Sequence, residues 1–298
     1  MSRKVKIATV SLLFDKESAI PGVNVQRALS IVDEAAANKP DIIVFPEEFD
    51  IYGLSPEDEE KTAEQVPGGP IQEKFAESAR KNNINIVICI REIEDGIKYN
   101  TSIIFNKKGE YVGKYRKTHL APGEEQSVKA GDDYPVFELD FGKIGITTCM
   151  DIHYPEIFRI MALQGADIIV HPTMWKDYTG DLCESIVNAR AIDNQIYIVT
   201  SHYIQMPFLS GMTMGHARIV DPYGRTRADT GHRPGVAYAE VDLDEVYEFW
   251  ATGELKKRFP TLKDCFLGLR RPETYGILTQ SDSKNNWKLK SPVLYGKD

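Results

Sequence analysis

The sequence predicts an α/β protein built as a four-layer αββα sandwich, in which two mixed sheets pack face to face and helices cover both outer sides. Short runs rich in Ile and Val alternate with amphipathic helical stretches along most of the 298 residues. The segments PDIIVFPEEF (40–49) and ADIIVHPTMW (166–175) share Asp-Ile-Ile-Val-x-Pro, and each follows a helical stretch. This repetition indicates two related halves, each supplying one sheet and its helices.

Strands are predicted where short runs of Ile, Val and Thr are bounded by turn residues. In chain order they lie at 5–14, 41–45, 84–90, 101–105, 111–114, 136–139, 143–148, 167–171, 196–201, 217–220 and 235–241. Two short turns, NKKG at 106–109 and DFG at 140–142, separate neighbouring strands and predict hairpins.

Helices are predicted where apolar residues recur every three or four positions. They lie at 24–38, 70–81, 155–164 and 181–194. The second and third begin with proline, which suits a first helical position because the N–H it lacks would be unpaired there. The acidic segment 56–60 is expected to be a polar loop.

The helical and strand patterns end near Gly253, and a polar tail with scattered aromatic residues follows. We therefore expect one domain over 1–275 and a C-terminal tail over 276–298. Because the tail carries Trp287 and Tyr295, packing on a partner subunit is the expected role for it.

Composition favours a small-molecule partner. The net charge is −8, the sequence pI is about 5.4 and no basic run occurs, so nucleic acid and membrane are not expected partners. The first apolar run stops at Asp15 without a cleavage signature, and no stretch approaches the ~20 apolar residues of a membrane helix. A cytoplasmic location is expected.

The cysteines and histidines show neither disulfide nor metal-ligand spacing. The cysteines stand at 89, 149, 183 and 265, and the histidines at 119, 153, 171, 202, 216 and 232. Because CxxC, HExxH and HxxxH patterns are all absent, the cysteines are expected to be reduced and no metal or cofactor is expected.

The stretch KIGITTCMDIHYPE (143–156) places Cys149 where an apolar strand ends. Open α/β sheets bind ligands beyond the carboxyl ends of their strands. A thiol there can be partly exposed, and nearby N–H groups or a cation can make it acidic. A lone cysteine more often serves as a small buried hydrophobe, so other residues must decide between the two interpretations.

Two further charged residues follow predicted strands. Glu47 ends the first repeated strand, and Lys117 lies in GKYRKTHL (113–120). Each alone is typical of a solvated surface charge. Together with Cys149 they supply a base, a positive charge for an oxyanion and a nucleophile, which are the groups that amide hydrolysis requires.

The blocks FPEEF (45–49), KYRKTHL (114–120) and TTCMDIHYPE (147–156) occur in the order found in the nitrilase, or carbon–nitrogen hydrolase, superfamily, which this chain resembles over nearly its whole length. The stretches NARAIDNQIYIV (188–199) and GHARIVDPYGR (215–225) resemble its supporting signatures. The resemblance implies that Glu47, rather than Glu48, is the general base, Lys117 the electrostatic lysine and Cys149 the nucleophile.

The resemblance implies further roles. Glu124, in EEQSVKAGD (124–132), matches a second family glutamate, although the aromatic residues usual there are absent. Met150 would supply a backbone N–H to the oxyanion beside Lys117. The family fold is the αββα sandwich, usually dimeric, so a homodimer or higher homo-oligomer is expected.

The substrate class follows from the residues after the nucleophile. True nitrilases tend to continue with Trp-Glu, whereas Cys149-Met150-Asp151 resembles the amidases and N-carbamoyl hydrolases. Ile152 and His153 stand where carbamoylases commonly carry an arginine that binds a substrate carboxylate. A neutral or amine-bearing amide or ureide is therefore as expected as one that carries a carboxylate. The residues expected to bind substrate are Tyr52, His153, Thr173, Met174 and Trp175.

Several alternatives remain open at this point. A nitrilase would convert a nitrile to a carboxylic acid, an N-acyltransferase would pass the acyl group to an amine, and a non-catalytic member would only bind. A papain-like hydrolase would use His119, His153 or His171 as its base, but it would not need the ordered Glu, Lys and Cys blocks.

Overall fold

The computed structural model describes residues 2–175, 181–206, 215–245 and 252–280, without the side chains of 181–183. It divides the chain into two compact units, Met1–Glu245 and Val246–Asp298. The strands of the first unit are β1 (Lys4–Phe14), β2 (Ile42–Val44), β3 (Asn85–Glu94), β4 (Ile97–Phe105), β5 (Tyr111–Arg116), β6 (Val136–Leu139), β7 (Gly142–Ile146), β8 (Ile168–Pro172), β9 (Tyr197–Gln205), β10 (Arg218–Val220), β11 (Thr226–Asp229) and β12 (Gly235–Asp242).

Its helices are α1 (Val23–Ala35), α2 (Pro56–Thr62), α3 (Pro70–Asn82), α4 (Pro155–Leu163) and α5 (Asp181–Asn194). Proline occupies the start of α2, α3 and α4, as its missing N–H favours. Short 3₁₀ helices follow α1 and the strands β5 and β7. The predicted helices are thus all present within a few residues of their expected ends.

The strands form two mixed sheets. The first has the order β5-β4-β3-β2-β1-β12, with β1, β2 and β3 parallel, and the second has the order β6-β7-β8-β9-β10-β11, with β7, β8 and β9 parallel. They join where the end of β1 pairs in parallel with β9, Ser11 opposite His202. The repeated segments form β2 and β8, each at the centre of its parallel group, so the two related halves are confirmed.

Alternating side chains along these strands build three apolar layers. Between the sheets, Ile42 and Val44 of β2 pack in one buried cluster with Ile168 and Val170 of β8. Ile43 faces the opposite way, into a cluster with α1 and α3. The second sheet repeats the pattern, since its outward residues form a third cluster with α4 and α5. These layers give the helix–sheet–sheet–helix order and confirm the predicted fold class.

Two local predictions were wrong. The acidic segment expected to be a loop is helix α2, because the Ser55 side chain accepts a hydrogen bond from the Asp58 N–H and acidic residues stabilise a helix N-terminus. Strand β11 was not predicted, since its residues TRAD are largely exposed and lack an apolar pattern. Among the residues that the structure describes, it pairs with β10, across an irregular register.

The second unit contains helices α6 (Glu254–Arg258) and α7 (Leu262–Gly268), where the sequence pattern had predicted only a tail. A capping box between Thr261 and Asp264 begins α7. Residues 281–298, with Trp287 and Tyr295, lie outside the described part of the chain. The expected domain boundary at 275 therefore stays a prediction. Within the described ranges, no helix has the length and apolar character needed to cross a membrane.

Candidate active site

Three strand ends meet at one edge of the fold. Because β1, β2, β7 and β9 are linked by parallel pairings, and β5 runs in the direction of β2 after two antiparallel steps, their carboxyl ends point the same way. Glu47 follows β2, Lys117 follows β5 and Cys149 follows β7. The sheet topology therefore brings together residues that are far apart in the sequence.

Lys117 lies buried between two carboxylates. Its Nζ donates to Glu47 Oε1 at 2.8 Å and to Glu124 Oε2 at 2.7 Å, and only 2% of the residue is exposed. Burial alone would lower the pKa of this ammonium group, but Glu47, Cys149 and Glu124 together raise that pKa well above its usual value. Lys117 is thus a fixed cation in the interior, not a surface charge.

The two oxygens of Glu47 differ in their contacts. Oε1 accepts from Lys117 Nζ and, at 2.8 Å, from the Asn100 amide. Oε2 is buried and has no hydrogen-bond partner among the described residues. The Glu47 backbone carbonyl accepts from the Tyr203 hydroxyl at 2.8 Å, which fixes the backbone as well. One oxygen of an anchored carboxylate is therefore left for an incoming proton.

Glu48 is directed to a different partner. Its φ of 42° is left-handed, and its carboxylate takes a bidentate pair from Arg91, with Nε at 2.7 Å and Nη2 at 3.2 Å. This geometry agrees with the choice of Glu47, not Glu48, as the residue beside Lys117. Nearby Asp50 accepts the Arg91 N–H, and burial raises the pKa of Asp50 to about 8.

Cys149 begins the 3₁₀ helix Cys149–His153 with a left-handed φ of 47°, a strained value for a non-glycine residue. Desolvation raises the pKa of its thiol, the charge of Glu47 raises it further, and Lys117 and the Met174 N–H oppose this shift. This direction runs against the acidic thiol that the sequence allowed, because burial and Glu47 outweigh Lys117.

Asp151 ties the cysteine turn to the lysine segment. Its fully buried carboxylate accepts from the Thr148 N–H at 2.8 Å, the Tyr115 hydroxyl at 2.5 Å, the His119 N–H at 3.0 Å and the Thr118 hydroxyl at 3.2 Å. Because three of these donors flank Lys117 in sequence, Asp151 fixes that segment relative to the turn carrying Cys149.

Two of the three histidines of the papain-like alternative, His119 and His171, are engaged elsewhere. His119 Nδ1 lies 2.9 Å from Asp151, and its ring stacks on Tyr154. His171 is buried, its Nδ1 lies 2.8 Å from the Thr147 hydroxyl, and burial lowers its pKa to about 3. Neither arrangement resembles a base poised on a thiol, so the geometry favours Glu47.

Three of the predicted substrate-binding residues lie beside the cluster. Trp175 Nε1 donates to the Cys149 carbonyl at 3.3 Å, and the backbone N–H of Met174 faces the thiol. Tyr52 is half-buried with its ring 4.6 Å from that of Tyr203; burial and the charge of Glu47 raise the pKa of its hydroxyl.

The other two lie differently. Thr173 is fully buried, and its N–H donates to the Ser201 carbonyl at 2.9 Å. His153 ends the 3₁₀ helix and is exposed at the surface. Partial desolvation of its ring and the charge of neighbouring Arg190 lower its pKa. Roles for both in substrate binding stay predictions.

Sequence reasoning missed two polar residues of the site. Asn100 and Asp151 carry hydrogen bonds between blocks, yet neither was assigned a role. The signal available for Asn100 was an amide side chain directly before the apolar strand residues TSIIF. The signal available for Asp151 was its place two residues after Cys149. Their partners depend on register and could not be assigned from spacing. Among the described residues, no group of three or more His, Cys, Asp or Glu is arranged to hold a metal ion.

Comparisons with known proteins agree with this site. The family described as carbon-nitrogen hydrolase matches residues 20–250. Mouse omega-amidase NIT2 is 31% identical over 260 residues, which cover 83% of this chain and 90% of the mouse protein. Deaminated glutathione amidase from Synechocystis sp. is 30% identical, covering 80% of this chain and 91% of that protein.

A solved structure shows the same architecture. Saccharomyces cerevisiae Nit3, a member of branch 10 of the nitrilase superfamily, superposes with a TM-score of 0.74 at 27% identity, covering 88% of this chain and 96% of Nit3. The predicted superfamily and the predicted class of enzyme, a hydrolase of carbon–nitrogen bonds, are confirmed. With its fold, its ordered Glu, Lys and Cys blocks and its family match all in agreement, this chain belongs to the carbon–nitrogen hydrolase, or nitrilase, superfamily.

Proposed function

We propose that this enzyme hydrolyses a small amide or N-carbamoyl compound through an acyl-enzyme on Cys149, with Glu47 as general base and Lys117 as the oxyanion-stabilising cation. The observation that carries this proposal is the buried Lys117 held between Glu47 and Glu124 next to Cys149. A nucleophile, a base and a fixed positive charge together meet the needs of acyl transfer.

In the first step the Cys149 sulfur attacks the carbonyl carbon while its proton passes to Glu47. The free Oε2 is the oxygen available to accept it. Because burial and Glu47 raise the pKa of the thiol, proton transfer accompanies the attack. The oxyanion is stabilised by Lys117 and by the N–H of Met150, in the first turn of the 3₁₀ helix, where N–H groups lack intrahelical partners.

In the second step the tetrahedral intermediate collapses, the C–N bond breaks, and Glu47 returns the proton to the leaving ammonia or amine. Water then attacks the thioester as Glu47 takes one of its protons, and the carboxylic acid departs as the thiol is reprotonated. Glu124 holds Lys117 in place throughout through its hydrogen bond to Nζ.

The amide branch is supported by two observations. The relatives reported above are named omega-amidase and deaminated glutathione amidase, and both names describe amide hydrolysis. Ile152 is buried in the cluster formed with α4 and α5, so its position offers no charged group to a substrate carboxylate. We therefore assign a small amide or ureide substrate.

The substrate panel gives the first test. Ammonia release from matched primary amides, N-carbamoyl compounds and nitriles should show the highest kcat/KM among the amides or N-carbamoyl compounds. Cys149→Ala protein serves as the blank, and added hydroxylamine reveals acyl transfer to an amine. Higher kcat/KM values for the nitriles would establish the nitrilase alternative, while a hydroxamate product without free acid would establish the acyltransferase.

We also propose that the chain forms a homodimer through the outer face of α4 and α5, the helices that cover the second sheet. Ile160 and Leu163 of α4 and Ile192 of α5 are large apolar residues exposed by 37%, 47% and 40%. Such residues on adjacent helices are typical of a covered face.

Light scattering should give a dimer or a higher oligomer. Leu163→Glu should weaken this assembly, whereas Ile97→Glu, at an exposed site on β4, should leave it unchanged. A monomeric wild type would contradict this.

A cytoplasmic location accords with the state of the cysteines. Cys89, Cys149 and Cys265 are free thiols in the described part of the chain, and reduced thiols persist in reducing compartments. Fractionation of cells expressing the full chain would test this location directly.

A further inference from the structure

Asn100 contacts three charged residues of the candidate site, Glu47, Glu124 and Lys117. It lies on β4 with 1% of its surface exposed. Its Nδ2 donates to Glu47 Oε1 at 2.8 Å and to Glu124 Oε1 at 3.1 Å. Its backbone carbonyl accepts from the Lys117 N–H at 2.9 Å. One asparagine thus joins the two carboxylates and the lysine that lies between them.

The other end of the Asn100 amide is also held. Cys89, on the neighbouring strand β3, places its Sγ 3.1 Å from Asn100 Oδ1 and is fully buried. An S–H donates and cannot accept as strongly as an oxygen, so this contact favours the carbonyl oxygen toward Cys89. The reverse orientation would place that oxygen against two carboxylates. Cys89 and the carboxylates therefore select the same amide orientation.

These contacts make the carboxylate of Glu47 asymmetric. Both Lys117 and Asn100 donate to Oε1, whereas Oε2 has no partner in the described residues. Rotation of the carboxylate would have to break both hydrogen bonds at once. Asn100 also anchors Glu47 without adding a second cation beside Cys149.

We propose that Asn100, oriented by Cys89, is a positioning residue that holds Glu47 Oε1 and thereby presents Oε2 to the Cys149 thiol. The proposal deepens, and rests on, the proposed role of Glu47 as the general base. It assigns Cys89 a supporting role distinct from that of the nucleophile.

The test is Asn100→Asp, which keeps the shape but replaces the donor with a third carboxylate. The variant loses a donor to Oε1 and places a like charge beside two buried carboxylates, which disfavours the ionised form that a general base needs. The acid limb of the kcat/KM profile should therefore move to higher pH by about one unit or more, with kcat reduced by about 10²-fold. A purely structural role would lower stability and leave the limb in place.

Two cysteine variants provide a second readout. Cys89→Ala removes the donor to Asn100 Oδ1 and should move the acid limb in the same direction by a smaller amount. Cys89→Ser supplies an O–H donor and should restore the wild-type limb. If Asn100→Asp does not fold, this pair still decides the proposal, because a Cys89→Ala profile identical to wild type would overturn it.

The matched control is Asn85→Asp. Asn85 is also 1% exposed, lies on β3 and donates to a carboxylate, Asp140 Oδ1, at 3.0 Å, but it is not part of the cluster. It should change stability and leave the pH profile unchanged. If the acid limb of Asn100→Asp does not move while Cys149→Ala protein is inactive, only the role of Asn100 is rejected. If Cys149→Ala protein is active, the proposed mechanism itself is rejected.

Discussion

Replacing Cys149 by Ala should abolish amide hydrolysis while the protein remains folded. The substitution removes the sulfur proposed to form the acyl-enzyme, and no histidine, serine or metal is proposed to take its place. Lys117 would still be placed to polarise the carbonyl group, but Glu47 would have no thiol to deprotonate. Steady-state ammonia release and circular dichroism of the same preparation measure the two parts of this prediction.

Alkylation tests the same residue in the wild-type enzyme. Iodoacetamide should give one adduct at Cys149, and substrate should slow its formation. Because burial and Glu47 raise the pKa of the thiol, the thiolate fraction grows with pH, so the rate should still be rising where a free cysteine, with a pKa near ~8.5, approaches its plateau. Peptide mapping and rate measurements across pH check both statements.

Buried cysteines provide the internal comparison. Cys89 is fully buried and its thiol pKa is raised well above the usual value, chiefly by desolvation, so it should remain unmodified in the folded enzyme. Cys265 is buried in the second unit. Labelling confined to Cys89, Cys183 or Cys265, or full turnover by Cys149→Ala, would show that the nucleophile has been misassigned.

The positions of Glu47, Lys117 and Cys149 were predictable because each follows a strand and the sheet aligns the carboxyl ends. The repeated Asp-Ile-Ile-Val-x-Pro segments identified the equivalent strands β2 and β8 before any contact was known. Apolar alternation specifies which face of a strand is buried. It therefore predicted the layers of the fold and the edge at which the site lies.

The contacts within the site were not predictable in the same way. Asn100 reaches Glu47 across 53 positions and Asp151 reaches Tyr115 across 36, so their pairing depends on strand register and loop path. The protonation of Cys149 depends on a balance between burial, Glu47 and Lys117. The residue types alone suggested an acidic thiol, because they show the cation but not the desolvation that outweighs it.

This balance assigns Lys117 two separate effects. It donates to both Glu47 and Glu124, and its charge opposes the rise in the Cys149 pKa. Without it, two carboxylates would face each other with no cation between them. The base and the oxyanion site would therefore be impaired by the same substitution.

Lys117→Ala should accordingly fold but lose turnover by more than the ~10²–10³ typical of one lost oxyanion donor. Alkylation of Cys149 at neutral pH should also slow, since the opposing positive charge is gone. Lys117→Arg keeps the charge but should fail nearly as badly, because a planar guanidinium cannot replace a compact ammonium between two carboxylates.

Lys114→Ala is the matched control, since Lys114 belongs to the same segment but pairs with Glu92 at 2.5 Å. Its kcat and its alkylation profile should stay close to those of wild type. Adding Glu124→Gln to Lys117→Ala removes one of the facing carboxylates and should recover part of the base function without restoring the oxyanion site. A Lys117→Ala enzyme within about tenfold of wild type, with an unchanged alkylation profile, would mean that Lys117 only stabilises the fold and that the assignment of Glu47, Lys117 and Cys149 is wrong.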